Sequence, residues 1–243
     1  MRRRELLVGG AATAAAAYAW RTSAADEPAA KLVPPEKGKI PVAFVISNHA
    51  TMIDFTGPWE VFQDCHVHSR GATMDEMMPF ELFTVAETAD MVRVTGGMKV
   101  VPDFTIDNAP QPRVIVVPAH RSTARSREWI VKASEKADLT MSVCTGAFVL
   151  ANAGLLKGRP ATTHHDFWDD FERTFPKVKL ERGPRFVEHE RIATAGGLTS
   201  GIDLALRVVE RYYGRGTALT TANYMEYEGR FTASGATRPE STR

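Results

Sequence analysis

Cys144 is the residue with most chemistry in it. Leu139, Met141 and Val143 alternate with Thr140 and Ser142, a period-two strand pattern. Cys144-Thr145-Gly146 follows at once, and an apolar helical segment, Ala147 to Leu156, comes next. A strand, a tight turn and a helix within three residues make the geometry of a nucleophile elbow. The helix N-terminus offers free N–H groups there, so the thiol is expected to ionise below its ordinary range. The same donors can receive negative charge from a substrate. Gly146 is expected to let the backbone turn without a Cβ clash. A buried, inert cysteine is the competing reading.

Other reactive side chains fall at strand ends too. Asp54 follows the apolar run Val42-Ala43-Phe44-Val45-Ile46. It is either a turn or helix-capping acid, or a carboxylate that exchanges protons across the sheet edge, with a pKa raised by partial burial. Ala119 and His120 follow Val114-Ile115-Val116-Val117-Pro118, His164 and His165 follow Ala161-Thr162-Thr163, and Gly196-Gly197 follows Arg191 to Ala195. The histidines either line a pocket or satisfy backbone groups. Trp59 and Phe62 read as core. Cys65-His66-Val67-His68 lacks a second ligand pair nearby and reads as a polar helix end. Cys65 stands eleven residues past Asp54, about 16 Å along a helix, so a disulfide to Cys144 is not expected. No metal or organic cofactor is indicated.

These positions require a sheet whose carboxyl edge collects them. Continuous apolar strands suit a parallel sheet covered on both faces. Phe80 to Ala86 is a further strand, and Val92 to Val101, turning at Thr95-Gly96-Gly97, reads as a hairpin. Helices are expected over Pro58–Gln63, Ser126–Ala137, Phe167–Phe175 with Asp166 as cap, Ser200–Tyr213 with a capping box to Asp203, and Thr217–Tyr227. Strand and helix alternate, which defines an α/β fold with ligands bound beyond the carboxyl ends of the strands.

The 243 residues are 44% hydrophobic and 24% charged, with a net charge of +1. This excludes a disordered or fibrous chain and argues against a general nucleic-acid binder. Two cysteines exclude a disulfide scaffold. Residues 1–25 read as an export signal: Arg2-Arg3-Arg4, an uncharged Ala-rich stretch from Leu6 to Trp20, and Ser23-Ala24-Ala25 as a cleavage site. Arg3-Arg4-Glu5-Leu6-Leu7 resembles a twin-arginine signal. A general secretory signal or an uncleaved anchor are the alternatives; a stable membrane span after processing is not expected. Removal of that segment takes away four basic residues and one acid, turning +1 into −2. Residues 26–39 read as a Pro/Lys-rich linker, 40–229 as the folded domain and 230–243 as a flexible tail.

From Ile40 to Tyr213 the chain resembles the ThiJ/PfpI (DJ-one) superfamily. The resemblance rests on Asp54-Phe55-Thr56-Gly57-Pro58, Ser142-Val143-Cys144-Thr145-Gly146-Ala147, Ala153-Gly154-Leu155-Leu156-Lys157-Gly158, Ala161-Thr162-Thr163-His164, and Thr194-Ala195-Gly196-Gly197 leading to Gly201-Ile202-Asp203-Leu204-Ala205-Leu206. It implies a flavodoxin-like three-layer sandwich with a mainly parallel central sheet, and a homodimer. Peptidase and glyoxalase-like branches usually carry histidine after the cysteine, where this chain has Thr145. Asp-x-x-Gly-Pro with Cys-Thr-Gly is similar to isonitrile hydratases and to the sensory domains of AraC-type regulators. The hydratase branch implies Cys144 as nucleophile, Asp54 as acid/base and Thr145 in support. Ala119, His120, Gly146, His164 and Gly57 are then candidate substrate contacts. Where the superfamily commonly has Pro-Gly-Gly, this chain has Pro118-Ala119-His120. The expectation is an exported, periplasmic or secreted enzyme acting on a small molecule, with no nucleic-acid partner, since no helix-turn-helix segment follows Tyr213. A non-catalytic ligand or redox sensor and a glyoxalase, deglycase or amidase are the alternatives.

Overall fold

The computed structural model describes residues 30–228. Residues 1–25, which read as an export signal, and 230–243, which read as a flexible tail, lie outside the described residues. The elements run β1 (Ile40–Val45), α1 (Met52–Gln63), α2 (Met74–Met77), β2 (Phe80–Ala86), β3 (Val92–Arg93), β4 (Lys99–Val100), β5 (Phe104–Thr105), β6 (Val114–Val117), α3 (Ala124–Ser134) and β7 (Leu139–Ser142). They continue with α4 (Gly146–Asn152), β8 (Pro160–Ala161), α5 (Trp168–Thr174), β9 (Lys179–Leu180), β10 (Phe186–His189), β11 (Ile192–Ala195), α6 (Ser200–Tyr213) and α7 (Arg215–Tyr224).

Seven strands form the central sheet in the order β10-β11-β7-β6-β1-β2-β5. All neighbours are parallel except β10 and β11. Strand periodicity divides the core in two. Val114 and Val116 of β6 face a cluster with Phe55 and Phe62 of α1 and Leu204 and Val208 of α6. Ile115 and Val117 face the other side, with Ile130 of α3, Leu150 of α4 and Phe171 of α5. Because β1 and β6 are apolar on both faces, they must be covered twice, which gives the three-layer sandwich. β3 and β4 pair antiparallel around Thr95–Gly97, as the hairpin pattern required.

Several elements depart from their sequence patterns. Helix α1 starts at Met52, so Pro58 lies inside it rather than in its first turn. Its ring takes away the N–H that would bond the Asp54 carbonyl one turn back. Asp166 does not cap α5: the Nδ1 of His164 accepts the Asp166 N–H instead, and a short 3₁₀ turn over His165–Phe167 precedes the helix. Thr199, without a side-chain cap bond, precedes α6, so no capping box forms with Asp203. Asp203 is instead fully buried and paired with Arg185, and Tyr227 donates its hydroxyl to it at 3.2 Å. Gly214, at φ 85°, ends α6 where expected. The antiparallel strand β10 is unforeseen; its Glu188 is held by Arg207 at 2.8 Å and Arg211 at 3.0 Å of α6.

The described part of the expected linker is strapped to the domain. Arg211 Nε donates to the Ala30 carbonyl at 3.0 Å, the Leu32 N–H donates to the Arg211 carbonyl at 2.9 Å, and Arg113 donates to the Val33 carbonyl at 2.7 Å.

Candidate active site

Cys144 sits between β7 and α4 with φ 58°, in the left-handed region. For a residue with a Cβ this conformation costs about 1–2 kcal/mol, so the surroundings must impose it. They do so from three directions. The Cys144 N–H donates to the Gly196 carbonyl at 2.7 Å, the Cys144 carbonyl accepts the Thr163 hydroxyl at 2.9 Å, and the Gly146 N–H donates to the Val143 carbonyl at 2.9 Å. Gly146 is needed for closeness rather than for a left-handed turn. A Cβ there would lie 2.1 Å from the Val117 carbonyl oxygen and 2.9 Å from that of Pro118. The elbow is therefore pressed against the end of β6, and the strained residue is the cysteine itself.

The sulfur is almost covered, with Cys144 7% exposed. Three donors serve it: the backbone N–H groups of Thr145 and Leu198, and the Thr145 hydroxyl. Thr145 precedes α4 without capping it, which leaves that hydroxyl for the sulfur. Asp54, in the first turn of α1, is fully buried. Its Oδ2 accepts the Ala119 N–H at 3.1 Å, and the Cys144 thiol donates toward its carboxyl group. Oδ1 is buried without a partner of good geometry among the described residues.

Burial pushes the Asp54 carboxyl up to about 7, against the pull of the Ala119 N–H and the Cys144 thiol. The thiol moves opposite to the sequence-based expectation. Burial, and then the charge of Asp54, push Cys144 up to about 12, outweighing its three donors. A helix N-terminus lowers a thiol where water also reaches it; here desolvation and a neighbouring acid dominate. The pair is thus a thiol beside a carboxyl that is half acid, half carboxylate near neutral pH. Such a pair can pass a proton from sulfur to a substrate atom as the sulfur attacks.

The remaining candidates divide. Ala119 serves Asp54 directly, and its carbonyl accepts the Thr51 N–H at 2.9 Å. His120 is half-buried beside them, its Nδ1 2.9 Å from the Pro118 carbonyl. Gly57 lies in the contact between α1 and α6, where a Cβ would come 2.9 Å from Ile202. It packs helices and is not seated among the groups around the sulfur. His164 lies against Gly197, whose Cβ would fall 2.3 Å from its ring. His164 thus shapes the loop that carries Leu198. Two residues at the elbow were missed by sequence reasoning. Thr163 precedes the noted His164, and Leu198 follows the noted glycine pair with φ 51°. A residue directly after Gly-Gly at a strand end was the available signal for a backbone donor.

Cys65 is a free, buried thiol beside Thr221, pushed up to about 12 by burial, and makes no disulfide with Cys144. The ring of His66 meets that of Tyr224 at 5.5 Å. The donor atoms of His164, His165 and Asp166 lie within 4.8 Å of one another. The two imidazoles are stacked, 4.5 Å apart at 22°, so their in-plane lone pairs run side by side rather than converging on one ion.

A parallel α/β sandwich with a cysteine held at positive φ on a strand–helix elbow, opposite a buried carboxyl, defines a class of cysteine-centred pocket proteins. The chain belongs to the DJ-1/PfpI family, which it matches over residues 41–211. It is 28% identical to an isonitrile hydratase from Pseudomonas putida over 194 residues, 76% of this chain and 78% of the relative. It is 27% identical to the HTH-type transcriptional regulator GbdR from Pseudomonas aeruginosa over 150 residues, 60% of this chain but only 41% of the regulator. Among solved structures, a ThiJ/PfpI family protein from Pseudomonas syringae superposes with a TM-score of 0.68 at 25% identity, covering 81% of this chain and 78% of its own. Drosophila melanogaster DJ-1beta superposes with a TM-score of 0.66 at 12% identity, covering 79% and 100%, a likeness of fold.

Proposed function

We propose that this protein is an exported hydratase that adds water to an isonitrile and releases an N-substituted formamide. The observation that carries the reading is the juxtaposition of Cys144, held at positive φ on the elbow, with the fully buried Asp54 carboxyl, each shifting the other's titration. The sulfur attacks the terminal isonitrile carbon. Asp54 takes the thiol proton on one oxygen and delivers a proton to the same carbon from the other, giving a thioimidate, Cys144–S–CH=N–R. Thr145 and the Leu198 N–H hold the sulfur while its charge changes. Water then adds to the carbon, the nitrogen takes a proton, and the C–S bond breaks to release the formamide. Likeness to the P. putida hydratase supports this chemistry.

Export rests on residues 1–25. Cleavage after Ala25 would leave intact the strap at Ala30 to Val33. The test follows formamide by NMR with cyclohexyl isocyanide as substrate. The parent is expected to turn over; Cys144→Ser and Asp54→Asn are expected to lose at least about 100-fold. Turnover by both variants at the parental rate would refute the mechanism. The exported chain is expected to begin at Asp26.

The regulator relatives favour a second reading, a pocket that senses a ligand or oxidant. Selective oxidation of Cys144 by dilute peroxide, with no isonitrile consumed, would support it over the first.

A further inference from the structure

We propose that His120 is the base that activates water in the second half of the reaction; this rests on the hydratase reading above. The segment Pro118–His120 leaves the carboxyl end of β6, between β1 and β7. It meets Asp54 on one side and the elbow at Gly146 on the other. The Ala119 N–H bonds the Asp54 carboxyl, and the Pro118 carbonyl oxygen lies where a Cβ on Gly146 would come within 2.9 Å. The imidazole of His120 is tied back onto that same Pro118 carbonyl through Nδ1, at 2.9 Å.

A carbonyl oxygen can only accept, so Nδ1 carries the hydrogen and Nε2 keeps its lone pair. Burial lowers the pKa of His120, which keeps the ring neutral and basic at neutral pH. Nε2 makes no hydrogen bond among the described residues, and the residue is only partly buried. The result is a half-buried imidazole of fixed tautomer, anchored one peptide from the Asp54 contact, with its basic nitrogen unpaired among the described residues. Asp54, the other acid/base group at this edge, accepts the Ala119 N–H and is taken up as the acid when the thioimidate nitrogen is protonated, so a second group must take the proton from water.

The step balances as follows. The water oxygen bonds to the thioimidate carbon while Nε2 takes one water proton. The C=N electron pair moves to nitrogen, which takes the Asp54 proton. In the tetrahedral adduct, Cys144–S–CH(OH)–NHR, the hydroxyl proton returns to Asp54, the C=O bond forms and the C–S bond breaks. The departing sulfur takes the proton held by His120. Thiol, neutral imidazole and carboxylic acid are restored.

The experiment follows the mass of the intact protein during turnover of cyclohexyl isocyanide. His120→Asn keeps a donor for the Pro118 carbonyl but has no base. It is expected to form the Cys144 adduct at the parental rate and to lose it at least about tenfold more slowly, so that adduct accumulates. His120→Ala is expected to behave likewise, and added imidazole is expected to speed adduct loss in it. Loss of adduct at the parental rate in both variants, or accumulation that imidazole does not relieve, would overturn the role. A parent that neither consumes the isocyanide nor forms an adduct would instead bring down the hydratase reading, and this step with it.

Discussion

Asp54 makes the stability of the fold depend on pH. Its carboxyl is raised to about 7 from an ordinary 3.8, so the folded chain binds this proton more tightly than the unfolded chain. The sign follows from linkage: stability is unaffected below about pH 4, falls as pH rises toward 7 and stays reduced above it. Three units correspond to up to about 4 kcal/mol. Asp54→Asn removes the titration and can still accept the Ala119 N–H. Urea unfolding at pH 8 is expected to find this variant more stable than the parent by a few kcal/mol, with the gap closing near pH 4. The juxtaposition of Asp54 with Cys144 and Thr145 was legible because Cys144 and Thr145 closely follow a strand and Asp54 opens the segment after β1, so the sheet brings both to one edge. The charge state of Cys144 was not. A sequence shows that a helix begins beside the sulfur, but not that the sulfur is buried against an acid.

At the scale of elements, the elbow depends on how closely α4 approaches β6. Gly146→Ala would place a methyl group 2.1 Å from the Val117 carbonyl oxygen, which is backbone and cannot swing aside. The loss is expected to be about 3 kcal/mol or more in thermal unfolding, together with loss of turnover as Cys144 shifts. The long elements were readable. β2 occupies the span its pattern gives, Phe80 to Ala86, and α6 ends at Tyr213 before Gly214. Misreadings came where tertiary partners overrode local signals. Asp203 looked like a capping-box acid but is claimed by Arg185 and Tyr227. Asp166 looked like a cap but gives its N–H to His164. Pro58 looked like a helix start, yet α1 begins six residues earlier because Thr51 is fixed by the Ala119 carbonyl and Met52 by Thr95.

Over the whole molecule, apolar runs in β1 and β6, with the alternating pattern of β7, were enough to specify a sheet covered on both faces, and that sheet collects the site at one edge. The outer strand β10 left no such trace. Its sequence, Phe186 to His189, mixes apolar and charged residues, and it is anchored by Glu188 to two arginines of α6 rather than by an apolar face. The strap across α6 was equally hidden, since Pro/Lys-rich composition reads as a free linker although Arg113 and Arg211 hold its backbone. Among the described residues, no helix is long and apolar enough to cross a membrane.

The proposed chemistry turns on proton exchange between Cys144 and Asp54. The most direct measurement is the pH dependence of Cys144 alkylation by iodoacetamide, in a Cys65→Ser background, with and without Asp54→Asn. The free protein is expected to react slowly at neutral pH and to accelerate only in strongly alkaline solution, with the profile moving to lower pH when the carboxyl becomes an amide. Rapid alkylation at neutral pH that is indifferent to Asp54→Asn would contradict it.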